Sequence, residues 1–548
     1  MEKRIKVTFQ PEGRGVYVLP GTSLYEAACE AGIIIESPCG SEGTCGKCRV
    51  IVHRGKTSPN PTEEKLVSKE DLRRGVRLAC QTRVSSGMVI EVPSSSRFSA
   101  QRILTSDVLS AGREVSQGAR KKGSASAADY GVAFDLGTTT VVGTLMDLNT
   151  GQDIAVCARM NPQVVYGDDV ISRIHHSIQS ENGLEDLHGR IIEEFNSIIG
   201  ELARSAGINR VNIYRVTVAG NSTMQHIFLN VSPRSLGFVP FTPFVKESVE
   251  IDAEKAGLTI NPGGKVFVFP SIAGFVGGDT VAVILAARLY RGKSIRLAVD
   301  IGTNGEIVLG NEDRLVCAST AAGPAFEGAR ISCGMRGTGG AIEKVVFNDD
   351  VNVNVIDNLA PAGICGSGLL DAAAEMLRAG ILDETGRMLA RSEIPAGTKS
   401  AIAERVTEKN GGRVFTLAGN PETNRSVDII QRDLRELQLA KGAISSGIKI
   451  LEKELGITDK DIDEVLLAGA FGNYIRRENA REIGLLPDIP LEKIKFIGNA
   501  ASSGAKIALL SEEQRRKAGE IARWCEYVEL SSSADFQNEF ASSMFFRK

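Results

Sequence analysis

Three cysteines fall within ten residues, in Ser37-Pro-Cys39-Gly-Ser-Glu-Gly-Thr-Cys45-Gly-Lys-Cys48, and a fourth follows in Arg77-Leu-Ala-Cys80-Gln-Thr-Arg83. The spacing, Cys-x5-Cys-x2-Cys and then a distant Cys, suits a loop that wraps a compact inorganic group and a second segment that closes the cage. The N-terminus, MEKRIKVTFQ, lacks the apolar stretch of a secretory leader, and the chain has 548 residues and 10 cysteines. In such a chain these are poor disulfide candidates, so metal or redox chemistry is expected. A [2Fe–2S] cluster needs four thiolates on two irons, and Cys39, Cys45, Cys48 and Cys80 supply them. Gly40, Gly43 and Gly46 permit the left-handed turns that point backbone N–H groups at the sulfides. Structural zinc is the competing reading, but zinc sites usually show paired Cys-x2-Cys knuckles, and only Cys45 and Cys48 form one. Cys29 falls on an apolar helix and reads as a core residue, while Cys157, Cys317, Cys333 and Cys525 show no ligand spacing.

The flanking segments suit a small domain over residues 1–97. Arg4–Phe9 and Val16–Leu19 read as strands, Thr22 or Ser23 as the cap of a helix over Leu24–Ala31, and Arg49–His53 and Met88–Val92 as further strands. With the cysteine set, this pattern resembles the [2Fe–2S] ferredoxins of the β-grasp type. The five-residue gap between the first two cysteines is similar to the adrenodoxin and bacterial variant rather than the four-residue plant loop. Residues 98–129 are rich in Ser, Ala, Gly and basic residues and read as a flexible linker, with Ile103–Leu109 as a short apolar helix.

The rest of the chain carries an internal repeat. Tyr130-Gly-Val-Ala-Phe-Asp135-Leu-Gly137-Thr138-Thr139-Thr140 returns about 165 residues later as Arg296-Leu-Ala-Val-Asp300-Ile-Gly302-Thr303-Asn304-Gly305-Glu306. Each copy is an apolar run ending in Asp, a Gly and hydroxyl or amide turn, and a second apolar run. Glycine lets the backbone approach a phosphate, the turn N–H and Thr groups donate to its oxygens, and the Asp can hold Mg²⁺ through water. A third element, Asp463-Glu-Val-Leu-Leu-Ala-Gly469-Ala470-Phe471-Gly-Asn473, runs a strand into a glycine turn suited to an adenosine. The rival P-loop is absent: Gly55-Lys56-Thr57 and Gly292-Lys293-Ser294 lack the upstream Gly, which is Val50 and Ala287.

These three elements resemble the superfamily of sugar kinases, actin and heat-shock chaperone ATPases. The fold expected is therefore an α+β β-grasp ferredoxin domain followed by an α/β two-lobed actin-like (ASKHA, RNase H-like) ATPase unit, with lobes at 130–294 and 295–548. The resemblance implies Asp135, Gly137, Thr138 and Thr139 as the first phosphate loop and Asp300, Gly302, Thr303 and Asn304 as the second. It places Gly469, Ala470 and Phe471 near the adenosine of ATP.

Other segments carry two readings each. Glu327, in Gly323-Pro-Ala-Phe-Glu-Gly328, orients an attacking water or binds Mg²⁺, or else caps a helix. Gly363-Ile-Cys365-Gly366-Ser367-Gly368 reads as a glycine turn opening a helix, a natural anion site, with Cys365 as a buried hydrophobe. His226 reads as a satisfied core histidine rather than a partner contact, and Asp168 or Asp169 as a helix cap.

With 64 Lys and Arg against 67 Asp and Glu, the net charge of −3 offers no footprint for nucleic acid. No apolar run approaches the length of a membrane span, so a cytoplasmic location without membrane association is expected.

The whole arrangement resembles the reductive activators of corrinoid-dependent enzymes. The resemblance rests on the four cysteines, the Asn161–Arg173 and Gly220–His226 segments, DIGTNGE at Asp300, GPAFEG, GICGSGLLD, LLAGAFGN and Gly498-Asn499-Ala-Ala-Ser-Ser-Gly-Ala505. It implies ATP-dependent electron transfer that returns inactive Co(II) to Co(I) in the corrinoid protein of a methyltransferase system. It also implies an upstream low-potential electron donor and a homodimer formed through the C-terminal unit. The alternatives are an iron–sulfur carrier with a nucleotide-regulated switch domain serving another acceptor, and a small-molecule kinase with a fused redox sensor.

Overall fold

The computed structural model describes residues 4–547 apart from 12, 32, 34, 36–42, 44–45, 47, 56, 94–95, 97–128, 303, 410, 421–424, 470–474 and 534. Residues 1–100 with 161–190 form one compact unit, and 101–160 with 191–548 the other. The expected linker helix at Ile103–Leu109 lies outside the described residues. Among the described residues no helix is long and apolar enough to cross a membrane.

In the first unit, β1 (Ile5–Gln10) and β2 (Arg14–Val18) make an antiparallel hairpin, followed by helix Leu24–Glu30, β3 (Arg49–Arg54), β4 (Val76–Leu78) and β5 (Met88–Glu91). The sheet order is β2-β1-β5-β3-β4, with β1 and β5 parallel and the other neighbours antiparallel, a β-grasp arrangement. Alternation along β1 turns Val7 and Phe9 inward, where Leu24, Ala27, Val50, Leu78 and Ile90 complete a closed core. Ser23 caps the helix by accepting from Glu26 N (3.1 Å), while the Glu26 carboxylate accepts from Ser23 N (2.7 Å). In the 161–190 part, Asp169 caps helix Val170–Gln179 by accepting from Ser172 N at 2.7 Å. Arg173, fully buried, donates to Gly167 O (3.0 Å) and Gln163 Oε1 (3.1 Å), and the charges of Asp168 and Asp169 oppose the lowering that burial imposes on it.

The second unit is built on two similar sheets. The first holds β6 (Tyr130–Leu136), β7 (Thr140–Asp147), β8 (Asp153–Met160), β9 (Ile213–Gly220), β10 (Val249–Asp252) and β11 (Lys265–Val268), in the order β10-β11-β9-β6-β7-β8. The second begins with β12 (Arg296–Ile301), β13 (Gly305–Gly310) and β14 (Leu315–Thr320). Two three-stranded insertions follow: β15 (Ala341–Phe347), β16 (Val351–Val355) and β17 (Gly363–Ile364), then β18 (Val406–Lys409), β19 (Gly412–Asn420) and β20 (Arg425–Ile430). β21 (Glu464–Ala468), β22 (Ile494–Gly498) and β23 (Glu526–Tyr527) complete the order β22-β21-β12-β13-β14-β23.

The repeat seen in the sequence is thus a repeat of topology. β6-β7-β8 matches β12-β13-β14, each an antiparallel meander, and a later strand, β9 or β21, adds in parallel to the first strand of each. The central strands are apolar on both faces because helices cover both, as in other α/β sheets. Helix Gly278–Ala287 follows β11 and helix Ala500–Leu510 follows β22, and the two pack face to face through Val281, Ile284, Ala501, Ala505 and Ala508. The approach is so close that a Cβ on Gly504 would collide with the backbone of Ala282.

Candidate functional site

In the first unit the thiols of Cys48 and Cys80 lie 3.3 Å apart, 1% and 3% exposed. That separation is well beyond the ~2.05 Å of a disulfide, so the pair is a dithiol facing one point. Gln81 Nε2 donates toward Cys80 Sγ at 3.6 Å, and the Gln81 side chain lies over Gly43, whose φ of +78° favours glycine. Gly46 also has positive φ, +68°. Cys39 and Cys45 lie outside the described residues.

A residue not anticipated as functional holds this site. Glu63, 1% exposed, accepts from Leu78 N (2.8 Å) and Thr82 Oγ1 (2.8 Å) through one oxygen and from Asn60 N (3.0 Å) through the other. Its carboxylate therefore pins both ends of the Leu78–Thr82 turn that carries Cys80. In the sequence Asn60-Pro-Thr-Glu63 reads only as a capping box, which it also is. A buried dithiol, a donor aimed at sulfur and positive-φ glycines on the loop together fit an iron–sulfur cluster.

In the second unit the two Asp-Gly turns face each other. Asp135 closes β6 beside Ala219 of β9, and Asp300 closes β12 beside Ala468 of β21. Each turn is tight: Gly137 N donates to Thr140 O (2.9 Å) and Gly302 N to Asn304 O (3.0 Å). Asn221, just after β9, donates to Thr138 Oγ1 at 2.9 Å and caps helix Ser222–Phe228 by accepting from Met224 N. Asn499, just after β22, donates to Asp135 Oδ2 at 2.8 Å and caps helix Ala500–Leu510. Gly469, at φ +85°, lies against the Asp300 carboxylate so closely that a Cβ would collide with it.

The electrostatics are one-signed. Burial pushes the Asp300 carboxyl up to about 7, and the negative charges of Asp279 and Asp135 push the same way. Burial also raises Asp279 to about 6, against the hydrogen bond it accepts from Thr280 N. Glu306 lies well above the usual range, first by burial and then by Asp279 and Asp300, with Ser319 Oγ opposing at 3.3 Å. Asp135, Asp279, Asp300 and Glu306 are all partly exposed residues, so the cleft between the two turns reaches solvent. Among the described residues no three Asp, Glu, His or Cys side chains converge as a ready metal cage. The donor set suits a cation held through water and phosphate oxygens, as Mg²⁺ usually is.

Asp279 was not anticipated. Its signal is the pair Gly277-Gly278 before it: a Cβ on Gly277 would sit 2.5 Å from Asn221 Cα, and one on Gly278 would collide with Gln225 and Phe269. Thr303, Ala470 and Phe471 lie outside the described residues. Glu327 ends a half-buried 3-10 turn, Pro324–Glu327, and is not among the charges that shift Asp300. The expected anion site at Gly366 is filled by protein: Gly366, Ser367 and Gly368 are buried, and Cβ atoms on the two glycines would collide with the carbonyls of Phe326 and Ile342. Cys365 is buried as expected.

Comparison with known proteins agrees along the whole chain. The family model for the 2Fe-2S iron–sulfur cluster binding domain matches residues 7–85, that for the RACo middle region residues 130–292, and that for the C-terminal domain of RACo, the ASKHA domain, residues 294–548. The chain is 40% identical over 419 residues to the corrinoid activation enzyme RamQ of Eubacterium limosum, covering 76% of this chain and 70% of that protein. It is 25% identical over 445 residues to the [Co(II) methylated amine-specific corrinoid protein] reductase of Methanosarcina barkeri, covering 75% of each. The solved structure of a reductive activator for corrinoid,iron-sulfur protein superposes with a TM-score of 0.68 at 33% identity, covering 99% of this chain and 98% of that one. With a ferredoxin domain, a RACo middle region and a RACo ASKHA domain in that order, the chain belongs to the RACo family of corrinoid activators.

Proposed function

We propose that this chain activates a corrinoid protein of a methyltransferase system by ATP-dependent, one-electron reduction of its inactive Co(II) to Co(I). Mg-ATP as the nucleotide, an upstream low-potential donor, homodimeric assembly and a cytoplasmic location are parts of the same reading. The observation that carries it is the presence, in one chain, of the buried Cys48–Cys80 dithiol and the two-lobed carboxylate cleft. The corrinoid-directed activities of the relatives at 40% and 25% identity support the choice of acceptor.

The physical problem is one of driving force. When bound, a [2Fe–2S] cluster supplies one electron at a time, and plant-type clusters do so at about −400 mV. An acceptor ~100–200 mV lower is disfavoured roughly 50- to 2,500-fold, since each 59 mV is tenfold for one electron. ATP need only favour the partner's productive state by that factor to carry the step.

The chain's own residues have these tasks. Cys39, Cys45, Cys48 and Cys80 hold the cluster, and Glu63 fixes the segment bearing Cys80. Gly137, Thr138, Thr139, Gly302, Thr303 and Asn304 cradle the phosphates. Asp135 and Asp300 hold Mg²⁺ through water, with Asn499 orienting Asp135. Gly469, Ala470 and Phe471 lie against the adenosine, and Glu327 is kept as the residue that orients water. ATPase activity tests this: turnover should rise severalfold with a Co(II) corrinoid protein and not with its Co(I) form. A rate indifferent to both would favour the nucleotide-regulated carrier.

A further inference from the structure

We propose that the loop Phe238–Val245 is the surface on which the second unit receives its protein partner, the corrinoid protein of the proposed reaction, and that it reads the state of the nucleotide cleft. This rests on the functional reading above and names the partner-facing part of it.

The loop is unusual in what it exposes. Phe238 is 56% exposed, Val239 81% and Phe244 80%, all within seven residues. Large apolar side chains gathered so closely in the open mark a contact surface more often than chance. Arg234 lies over the Phe238 ring at 5.7 Å and gives the patch a cationic rim.

The loop is also firmly held from behind. Phe241 N donates to Phe238 O (2.7 Å), closing a turn that presents Val239 outward. Val245 N donates to His226 Nε2 (3.0 Å), and His226 Nδ1 donates to Ser222 O (2.6 Å), so the buried imidazole is neutral in a single tautomer. Helix Ser222–Phe228 begins at Asn221, which holds Thr138 of the first phosphate turn. On the other side the Phe241 ring packs on Phe275 at 5.2 Å, four residues before Asp279. Ser271 N donates to Lys246 O (2.9 Å), and Ser222 Oγ bonds Ser271 Oγ (3.2 Å), joining the two anchors. Short links thus run from the exposed loop toward both Thr138 and Asp279 at the cleft. A shift of either on nucleotide binding moves the patch.

The size of the patch selects the occupant. Three side chains expose roughly 400 Å² of apolar surface, short of the ~650 Å² or more of apolar surface that each subunit of an obligate homodimer buries. That suits a partner that docks, is reduced and leaves, and not a permanent second copy of this chain.

The test uses the full chain and a purified Co(II) corrinoid protein that the wild type reduces. Substituting V239S and F244S together should raise the KM for the corrinoid protein about tenfold or more, with ATP turnover in its absence unchanged. A photo-crosslinking residue at position 244 should give adducts with the corrinoid protein, and more of them with ATP than with ADP. An unchanged KM, or adducts confined to a second copy of this chain or to residues 1–95, would overturn the inference. If the wild type reduces no corrinoid protein, the functional reading itself fails and this inference with it.

Discussion

Asn499 reaches from the second sheet across the cleft and donates to the Asp135 carboxylate of the first at 2.8 Å. Asp279 does the converse: it begins a helix after the first sheet and raises Asp300 of the second. The helices that carry them pack face to face, and each lobe thereby contributes to the other's aspartate.

Replacing Asn499 separates its two duties. Asn499→Ala removes the bond to Asp135 and the helix cap, whereas Asn499→Asp keeps a capping oxygen but sets a second negative charge against Asp135. Calorimetric titration should show ATP affinity falling about 10- to 100-fold in both, since hydrogen bonds to charged groups contribute ~1.5–3 kcal/mol. Thermal stability should fall only in the alanine variant. Equal stability losses with unchanged affinity would make Asn499 a cap alone.

Gly469→Ala tests the approach of the third motif to Asp300. The position has φ +85°, and the added methyl collides with the Asp300 carboxylate. Far-UV circular dichroism should stay native while nucleotide binding is lost by tenfold or more.

Glu63→Ala removes the acceptor of Leu78 N and Asn60 N beside the Cys80 turn, and leaves Thr82 Oγ1 with Leu78 O alone (3.1 Å). Each buried group so orphaned costs about 1–3 kcal/mol. The visible circular dichroism of the reconstituted cluster should bleach at a markedly lower temperature, and Glu63→Gln should recover part of the loss. ATP binding by the second unit should not change.

Lys441 gives the fold a pH dependence. It is 1% exposed, donates to Phe545 O and lies 5.4 Å from the Phe546 ring, so it secures the C-terminal segment to helix Gln431–Leu455. Burial, and then the nearby Arg547, lowers it to about 7. Between that value and the ordinary 10.5 the unfolded chain holds the extra proton, so this residue makes stability rise with pH across the window. The slope is at most ~1.4 kcal/mol per pH unit. In thermal melts from pH 6.5 to 10, Lys441→Met should remove that rise relative to the wild type, and parallel curves would show that Lys441 does not titrate there.

The two Asp-Gly turns are legible in the sequence because strand, carboxylate, glycine and hydroxyl occur together twice, at Asp135 and Asp300. The ferredoxin domain is legible because four thiols cannot be spaced in that way for many other ends. Asp279 and Glu63 are not, because their roles arise from what the fold brings to them. Gly277-Gly278-Asp279 looks like an ordinary helix start until Asn221 packs on it, and Glu63 looks like a cap until the Leu78–Thr82 turn arrives. The glycines at 366 and 368 show the opposite error: what resembles an anion cradle is glycine required by the carbonyls of Phe326 and Ile342.

The central claim is tested most directly by following the Co(I) absorption band of a Co(II) corrinoid protein mixed anaerobically with the reduced chain, with and without Mg-ATP. The reductant must be too mild to reduce the cobalt unaided. The account predicts Co(I) only with Mg-ATP, and none with Cys45→Ser or Asp300→Ala. Co(I) formed equally without ATP, or absent across several corrinoid proteins despite an intact cluster and bound nucleotide, would contradict it.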